Sequence, residues 1–140
     1  MMVKLKKTTY RYLESELSTY FDTKNEVLRL REEIIYASKP VDENIGGGRS
    51  GGVSDPTSET ATRLVTHKQL SYLEQVVDAI EKIYAILPKE HQTFIQLAYW
   101  KKPITLTMIG IAEEMNTNKN KVYKYRDEVI QLLALELGYR

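Results

Sequence analysis

Residues with the chemistry to bind nucleic acid cluster near the end of the chain, at Lys119, Asn120, Lys121, Tyr123 and Lys124. Lysine ammonium groups bind phosphates or guanine edges, and an asparagine amide can form two hydrogen bonds to an adenine edge. A tyrosine can contact a phosphate or a thymine methyl group. Lys121 and Lys124 are the best candidates for base or phosphate contact. The composition of this segment therefore predicts contact with double-stranded DNA.

The residues around this basic segment predict a helix-turn-helix that would position it. Ala112 is small enough for two helices to cross closely, and Asn116 can adopt the left-handed conformation of a sharp turn. Asn118 can cap the start of the next helix, and Val122 returns that helix to the core. Such a pattern also occurs in plain helical hairpins. The cap and the basic exposed face favour DNA binding over that alternative.

Three more bases are candidate DNA contacts: Arg126, Lys101 and Lys102. No acidic residue lies three or four positions from Arg126 in its helix, which favours contact with phosphate or solvent over an ion pair. Lys101 and Lys102 precede the motif and either hold the DNA backbone or form a solvated loop. Tyr125 shares the face of Val122, so we expect it in the core.

The net charge of +1 excludes a uniformly basic nucleic-acid binder, but the charge is uneven. Residues 99–126 carry six bases and two acids. Residues 1–12 carry four bases and no acid, which is compatible with a DNA-binding arm or, more commonly, with a soluble helix start. Those four bases are Lys4, Lys6, Lys7 and Arg11.

Catalysis and metal binding have little support in the sequence. There is no cysteine, and neither His67 nor His91 has a partner at metal-binding spacing. We therefore predict no enzymatic activity, no metal site and no cofactor, and we expect Trp100 to be a packing residue. No apolar run approaches the ~20 residues of a membrane span, and the basic residues at the start are not followed by the apolar stretch of a signal peptide. These features favour a cytoplasmic protein.

The first half of the chain predicts long helices joined by a loose segment. A helix over about 5–37 carries a nearly heptad apolar stripe, which Lys24 and Arg31 interrupt. The stripe requires a second long helix or a second subunit, so we expect an oligomer. A glycine-rich stretch, part of 38–54, is predicted as a flexible linker rather than a phosphate site, because it lacks the Lys-Ser/Thr ending of a P-loop.

The second half predicts further helices and no strand. A long helix begins at Pro56 or near Thr66 and ends before Pro88, which opens the next helix. The two helices of the motif follow at about 107–115 and 119–137, and Gly138 ends the last one.

Several segments together resemble the RinA/ArpU-type phage transcriptional regulators. They are residues 44–50 (NIGGGRS), the break at 87–88, residues 99–103 (YWKKP) and residues 122–128 (VYKYRDE). The resemblance implies an activator of late genes in phages and prophages of Gram-positive bacteria, with a recognition helix that begins after Asn118. Residues from Pro88 onward also resemble region 4 of bacterial sigma factors. This implies promoter DNA and contact with host RNA polymerase.

We therefore predict an all-α protein with two parts. Residues 1–87 form a long helical hairpin for oligomerisation, with the linker at 38–54, and residues 88–140 form a three-helix helix-turn-helix domain. The predicted function is sequence-specific transcriptional activation on promoter DNA by a homo-oligomer in the bacterial host cytoplasm. Two alternatives remain: a small terminase-like adaptor for DNA packaging, and a polymerase-binding interaction module that never touches DNA.

Overall fold

The computed structural model describes residues 4–38, 56–102 and 106–139, and these residues form helices joined by short turns. The all-α prediction is confirmed, since none of the described residues forms a strand. Most of the predicted linker 38–54 lies outside the described residues. The α-helices are α1 (Lys7–Ser18), α2 (Tyr20–Ser38), α3 (Pro56–Ile86), α4 (Lys89–Ile95), α5 (Met108–Glu114) and α6 (Lys119–Leu137), and a π-helical turn (Gln96–Trp100) continues α4.

The single helix predicted over 5–37 is wrong at one point, because the chain breaks at Thr19 between α1 and α2. Thr19 has φ −99° and ψ 12°, and its hydroxyl donates to the Ser15 carbonyl at 2.9 Å. A threonine that bonds back four residues bends a helix. The Leu17 carbonyl accepts a hydrogen bond from the Trp100 indole N–H at 3.1 Å, so the break is also stabilised by a distant residue.

Helices α2 and α3 form an antiparallel pair within the chain. Lys24 contacts Glu81 at 3.0 Å, and Arg31, seven residues later, contacts Glu74, seven residues earlier, at 2.5 Å. The two bases that interrupt the apolar stripe therefore face acids of α3, while stripe residues such as Val27 are buried. The stripe is covered by the same chain.

One buried core is shared by both predicted parts of the chain. Helix α6 packs on α1, α3, α4 and α5, and its inner face is closed to solvent. The division at residue 87 stays a prediction, and the shared core indicates that the two parts do not pack independently. The largest fully buried side chains are Leu13, Leu17, Val76, Ile80, Ile83, Phe94, Ile95, Ile111, Val122, Val129, Ile130 and Leu133.

The π-helical turn places aromatic side chains at the junction of the helices. The Lys101 N–H donates to the Gln96 carbonyl at 2.7 Å, five residues back. The Trp100 ring stacks on Tyr20 at 5.1 Å between centroids and lies 4.8 Å from the Tyr84 ring. Trp100 is therefore a packing residue, as predicted, and it joins the break after α1 to α3.

Candidate nucleic-acid interface

The turn between α5 and α6 has the backbone geometry that the sequence predicts. Asn116 adopts φ +54°, the left-handed conformation, and the Thr117 N–H donates to the Ala112 carbonyl at 2.9 Å. The Asn118 side chain accepts from the Lys121 N–H at 2.9 Å and caps α6. Residues Asn116 and Asn118 thus fix the direction in which α6 leaves the turn.

Helix α5 also has a side-chain cap that sequence analysis did not single out. The Thr107 hydroxyl oxygen accepts a hydrogen bond from the Gly110 N–H at 3.1 Å. A threonine directly before the apolar residues Met108 and Ile109 is the signal that would have identified it.

The inner face of α6 is held rigidly behind the basic segment. Val122 and Val129 are fully buried, and Tyr125 is buried as predicted. The ring of His91, on α4, contacts the Tyr125 ring at 4.8 Å, and its Nε2 lies 3.5 Å from a Glu128 carboxylate oxygen. The outer face of α6 therefore has a fixed orientation relative to α4 and α5.

Four of the predicted contact residues project from the first turns of α6 into solvent: Lys119, Asn120, Lys121 and Lys124. Within the described ranges, none of their side chains forms a hydrogen bond or an ion pair. The first turn of α6 contains no acid that would offset the lysine charges. The structure therefore places these residues, all exposed, in the first two turns of one helix.

Tyr123 and Arg126 lie in the same helix and are already engaged. The Arg126 guanidinium lies 4.8 Å from the centroid of the Tyr123 ring and 5.4 Å from that of Tyr10, on α1. Arg126 Nε is buried and has no hydrogen-bond partner among the described residues, with an Asp127 oxygen at 3.8 Å. Its contact with phosphate stays a prediction, and the position is more enclosed than the helix pattern suggests.

Lys101 and Lys102 are exposed directly after the π-helical turn. Residues 103–105, which connect them to α5, lie outside the described residues. The structure therefore confirms their exposure, while their contact with the DNA backbone stays a prediction.

Sequence analysis missed two tyrosine–carboxylate hydrogen bonds that attach α1 to this region. The Tyr10 hydroxyl donates to Asp127 at 2.6 Å, and the Tyr99 hydroxyl donates to Glu14 at 2.7 Å. Burial, reinforced by these hydrogen bonds, raises the pKa of both Tyr10 and Tyr99 above the usual range. Both hydroxyls therefore stay protonated and donate. Partners 117 and 85 positions apart leave no local sequence signal.

The described parts of the chain contain no group of three or more histidine, aspartate or glutamate side chains that could hold a metal ion. Within the same parts, no helix has the length and apolar character needed to cross a membrane.

The described residues form an all-helical protein whose last two helices, α5 and α6, are joined by a tight, capped turn, with exposed lysines at the start of α6. Residues 6–134 match the model of a family described as a protein of unknown function, DUF722, and the chain belongs to that family. It is similar to the transcriptional activator rinA of Staphylococcus phage phi11, with 27% identity over 134 residues that cover 96% of this chain and 94% of that protein. The predicted resemblance to RinA-type phage regulators is thus confirmed. No solved structure matches the chain.

Proposed function

We propose that this protein is a sequence-specific DNA-binding transcriptional activator of phage or prophage late genes. The observation that carries the proposal is the group of exposed, unpaired lysines in the first two turns of α6, a helix packed on its other side through Val122 and Tyr125. The similarity to an activator over nearly the whole chain supports the same function.

The placement of the lysines favours a binding role over a structural one. Lys119 and Lys121 lie in the first turn of α6, where the positive end of the helix dipole disfavours cations, and Lys124 follows in the second turn. They form no ion pair within the described residues that would offset this cost. Locally unfavourable choices of this kind concentrate at functional positions, and a DNA phosphate or guanine edge would supply the missing partner.

The outer face of α6 suggests how the contacts divide. Lys121 and Lys124 would reach base edges or phosphates in the major groove, and Asn120 would read an adenine. Lys119 would lie at the backbone, and Tyr123 would contact a phosphate or a thymine methyl group. Outside this group, Arg126, Lys101 and Lys102 would add backbone contacts.

The partners of this activity would be promoter DNA and host RNA polymerase, in the cytoplasm of a bacterial host. The name of the phi11 relative supports a role at promoters. Contact with polymerase rests on the resemblance to sigma region 4.

The test of this function is selection of bound fragments from the phage and host genomes at physiological salt, followed by footprinting and transcription in vitro. We expect enrichment of late promoters, protection of a defined site and increased transcript from it. Enrichment of packaging sites without activation would instead support the terminase-like adaptor. If the protein binds no duplex at any salt concentration, the alternative of a polymerase-binding interaction module would be supported.

We also propose that the protein dimerises through the outer face of α2. The stripe that first predicted oligomerisation is covered by α3, but Phe21 and Leu28, seven residues apart beside it, are each half exposed. If a second copy packs antiparallel about an axis at Leu28, Phe21 lies opposite position 35, so apolar positions match. Lys24, already paired with Glu81 at 3.0 Å, lies opposite the partner's Glu32, and that exposed acid would join the existing ion pair. Two reading helices on adjacent half-sites would bind more tightly than one.

Replacing Leu28 with arginine is expected to convert the dimer to a monomer at micromolar concentration, because two like charges would meet at the axis. Light scattering with size-exclusion chromatography measures the mass. Leu135→Arg is the matched control, since Leu135 on α6 is a leucine of similar exposure. A monomeric wild-type protein, or equal effects of both substitutions, would contradict this interface.

A further inference from the structure

We infer that the N-terminal basic arm is a second DNA-binding element that contacts phosphates beside the groove occupied by α6. The N-terminal basic arm comprises Lys4, Lys6, Lys7 and Arg11. This inference rests on the proposed function and adds a set of contacts that the helix-turn-helix does not contain.

The charge of the arm is available for a ligand. All four of its side chains are exposed, and no acid occurs in the chain before Glu14. Within the part of the chain that the structure describes, none of the four forms an ion pair or a side-chain hydrogen bond. A cluster of unpaired positive side chains attracts polyanions such as DNA.

The arm is attached directly to the reading helix. Tyr10 lies within it and donates to Asp127 of α6 at 2.6 Å, and the Tyr10 ring lies 5.4 Å from the Arg126 guanidinium. Arg126 in turn lies against Tyr123, one of the predicted DNA contacts. Lys7 lies three residues before Tyr10 in the same helix, and Arg11 directly follows Tyr10. Their backbone positions are therefore fixed relative to α6.

The acids near this attachment are engaged by other groups. Asp127 accepts the Tyr10 hydroxyl, and Glu14 accepts the Tyr99 hydroxyl at 2.7 Å. Burial, aided by the bond to Asp127, raises the pKa of Tyr10, so this bond persists across the neutral range. The carboxylates consequently hold α1 in place and form no ion pair with the cations of the arm.

The width of the DNA groove fits this arrangement. Packed helices lie about 8–10 Å apart, and the major groove is about 12 Å wide. A helix packed on the side of a groove-bound helix therefore lies over the phosphate backbone at the edge of the groove. Cations at that place gain phosphate contacts and carry little sequence information.

The test compares two double substitutions that each remove one lysine and one arginine. Lys7→Ala/Arg11→Ala alters the arm, and Arg63→Ala/Lys68→Ala alters exposed bases of α3. Binding to the selected fragment and to an unrelated duplex is measured by fluorescence anisotropy at several salt concentrations. For the arm variant we expect the slope of log K against log salt to fall by about two, with a similar loss of affinity on both duplexes. The control should leave both quantities unchanged.

Different outcomes separate failure of the arm from failure of the proposed function. If the arm variant keeps the wild-type slope of log K against log salt, or if the control variant changes equally, the arm does not bind DNA. Either result would leave the proposed function intact. A wild-type protein that binds no duplex would overturn the proposed function itself. A loss of affinity for the selected fragment alone would show that the arm contacts bases. This result would contradict phosphate contact as the role of the arm.

Discussion

Replacing Lys121 and Lys124 together with alanine is expected to reduce affinity for the selected DNA site by about 30-fold or more while leaving the fold intact. Each good base contact contributes about 1–3 kcal/mol, and each phosphate contact adds about one unit to the salt slope. Both lysine side chains are exposed and have no partner among the described residues, so their removal breaks no internal interaction. Alanine also favours the helix and relieves charge at its N-terminus.

The measurement is anisotropy titration at several salt concentrations, with thermal unfolding followed by circular dichroism. Lys68→Ala/Lys89→Ala is the control, since it removes two exposed lysines from α3 and α4. We expect unchanged melting for both variants and a large loss of affinity only for the first. Equal losses of affinity for both would indicate a nonspecific charge effect and contradict a reading role for α6.

The turn between α5 and α6 and the ends of α6 were predictable because their determinants are local. A left-handed residue, a cap and a helix stop each depend on the chemistry of one or two residues, and Asn116, Asn118 and Gly138 perform these roles in the structure. The exposure of Lys119, Lys121 and Lys124 follows from the same helix period that buries Val122. Local signals therefore suffice to locate the candidate surface.

The sequence predicted a hairpin of long helices, but the stripe alone could not establish that the helices pair within one chain or fix their register. The stripe on α2 requires an apolar partner, but it does not specify whether that partner belongs to the same chain. In the structure, the contacts of Lys24 with Glu81 and of Arg31 with Glu74 define the register of α2 against α3. These pairs are exposed, so they contribute little free energy and mainly select the alignment.

The surroundings of Arg126 show the same limit at the candidate site. No acid lies three or four positions from Arg126 in its own helix, so the sequence favoured contact of its guanidinium with solvent or phosphate. The residue that encloses it, Tyr10, lies 116 positions earlier in the chain. Aromatic stacking of a guanidinium leaves no periodic pattern in the sequence, so only the tertiary fold could reveal it.

The break at Thr19 was unpredictable for a related reason. Nothing near Thr19 forbids a helix, since neither glycine nor proline is present. The break combines the Thr19 hydroxyl bond to Ser15 with the Trp100 bond to Leu17. The second bond depends on the π-helical turn, which itself has no clear sequence signature. The Trp100 side chain is therefore one of the contacts that couple the N-terminal helices to the C-terminal part.

This coupling predicts a large loss of stability when Trp100 is replaced with alanine. The substitution removes a ring that packs on Tyr20, Phe21 and Tyr84, together with the hydrogen bond to Leu17. Replacing a large aromatic side chain with alanine costs about 3–5 kcal/mol, and the lower end applies because Trp100 is half-buried. Urea unfolding followed by circular dichroism measures the free energy of unfolding without depending on tryptophan fluorescence.

Trp100→Phe is the control that separates the ring contacts from the hydrogen bond. It keeps an aromatic ring against Tyr20 and Tyr84 and loses the indole N–H together with part of the ring area. We therefore expect a cost above the ~1 kcal/mol of the hydrogen bond and below that of the alanine variant. Because one cooperative core spans both halves, the alanine variant should shift the single unfolding transition as a whole. A separate early transition, with the C-terminal part still folded, would contradict the shared core and support independent domains divided near residue 87.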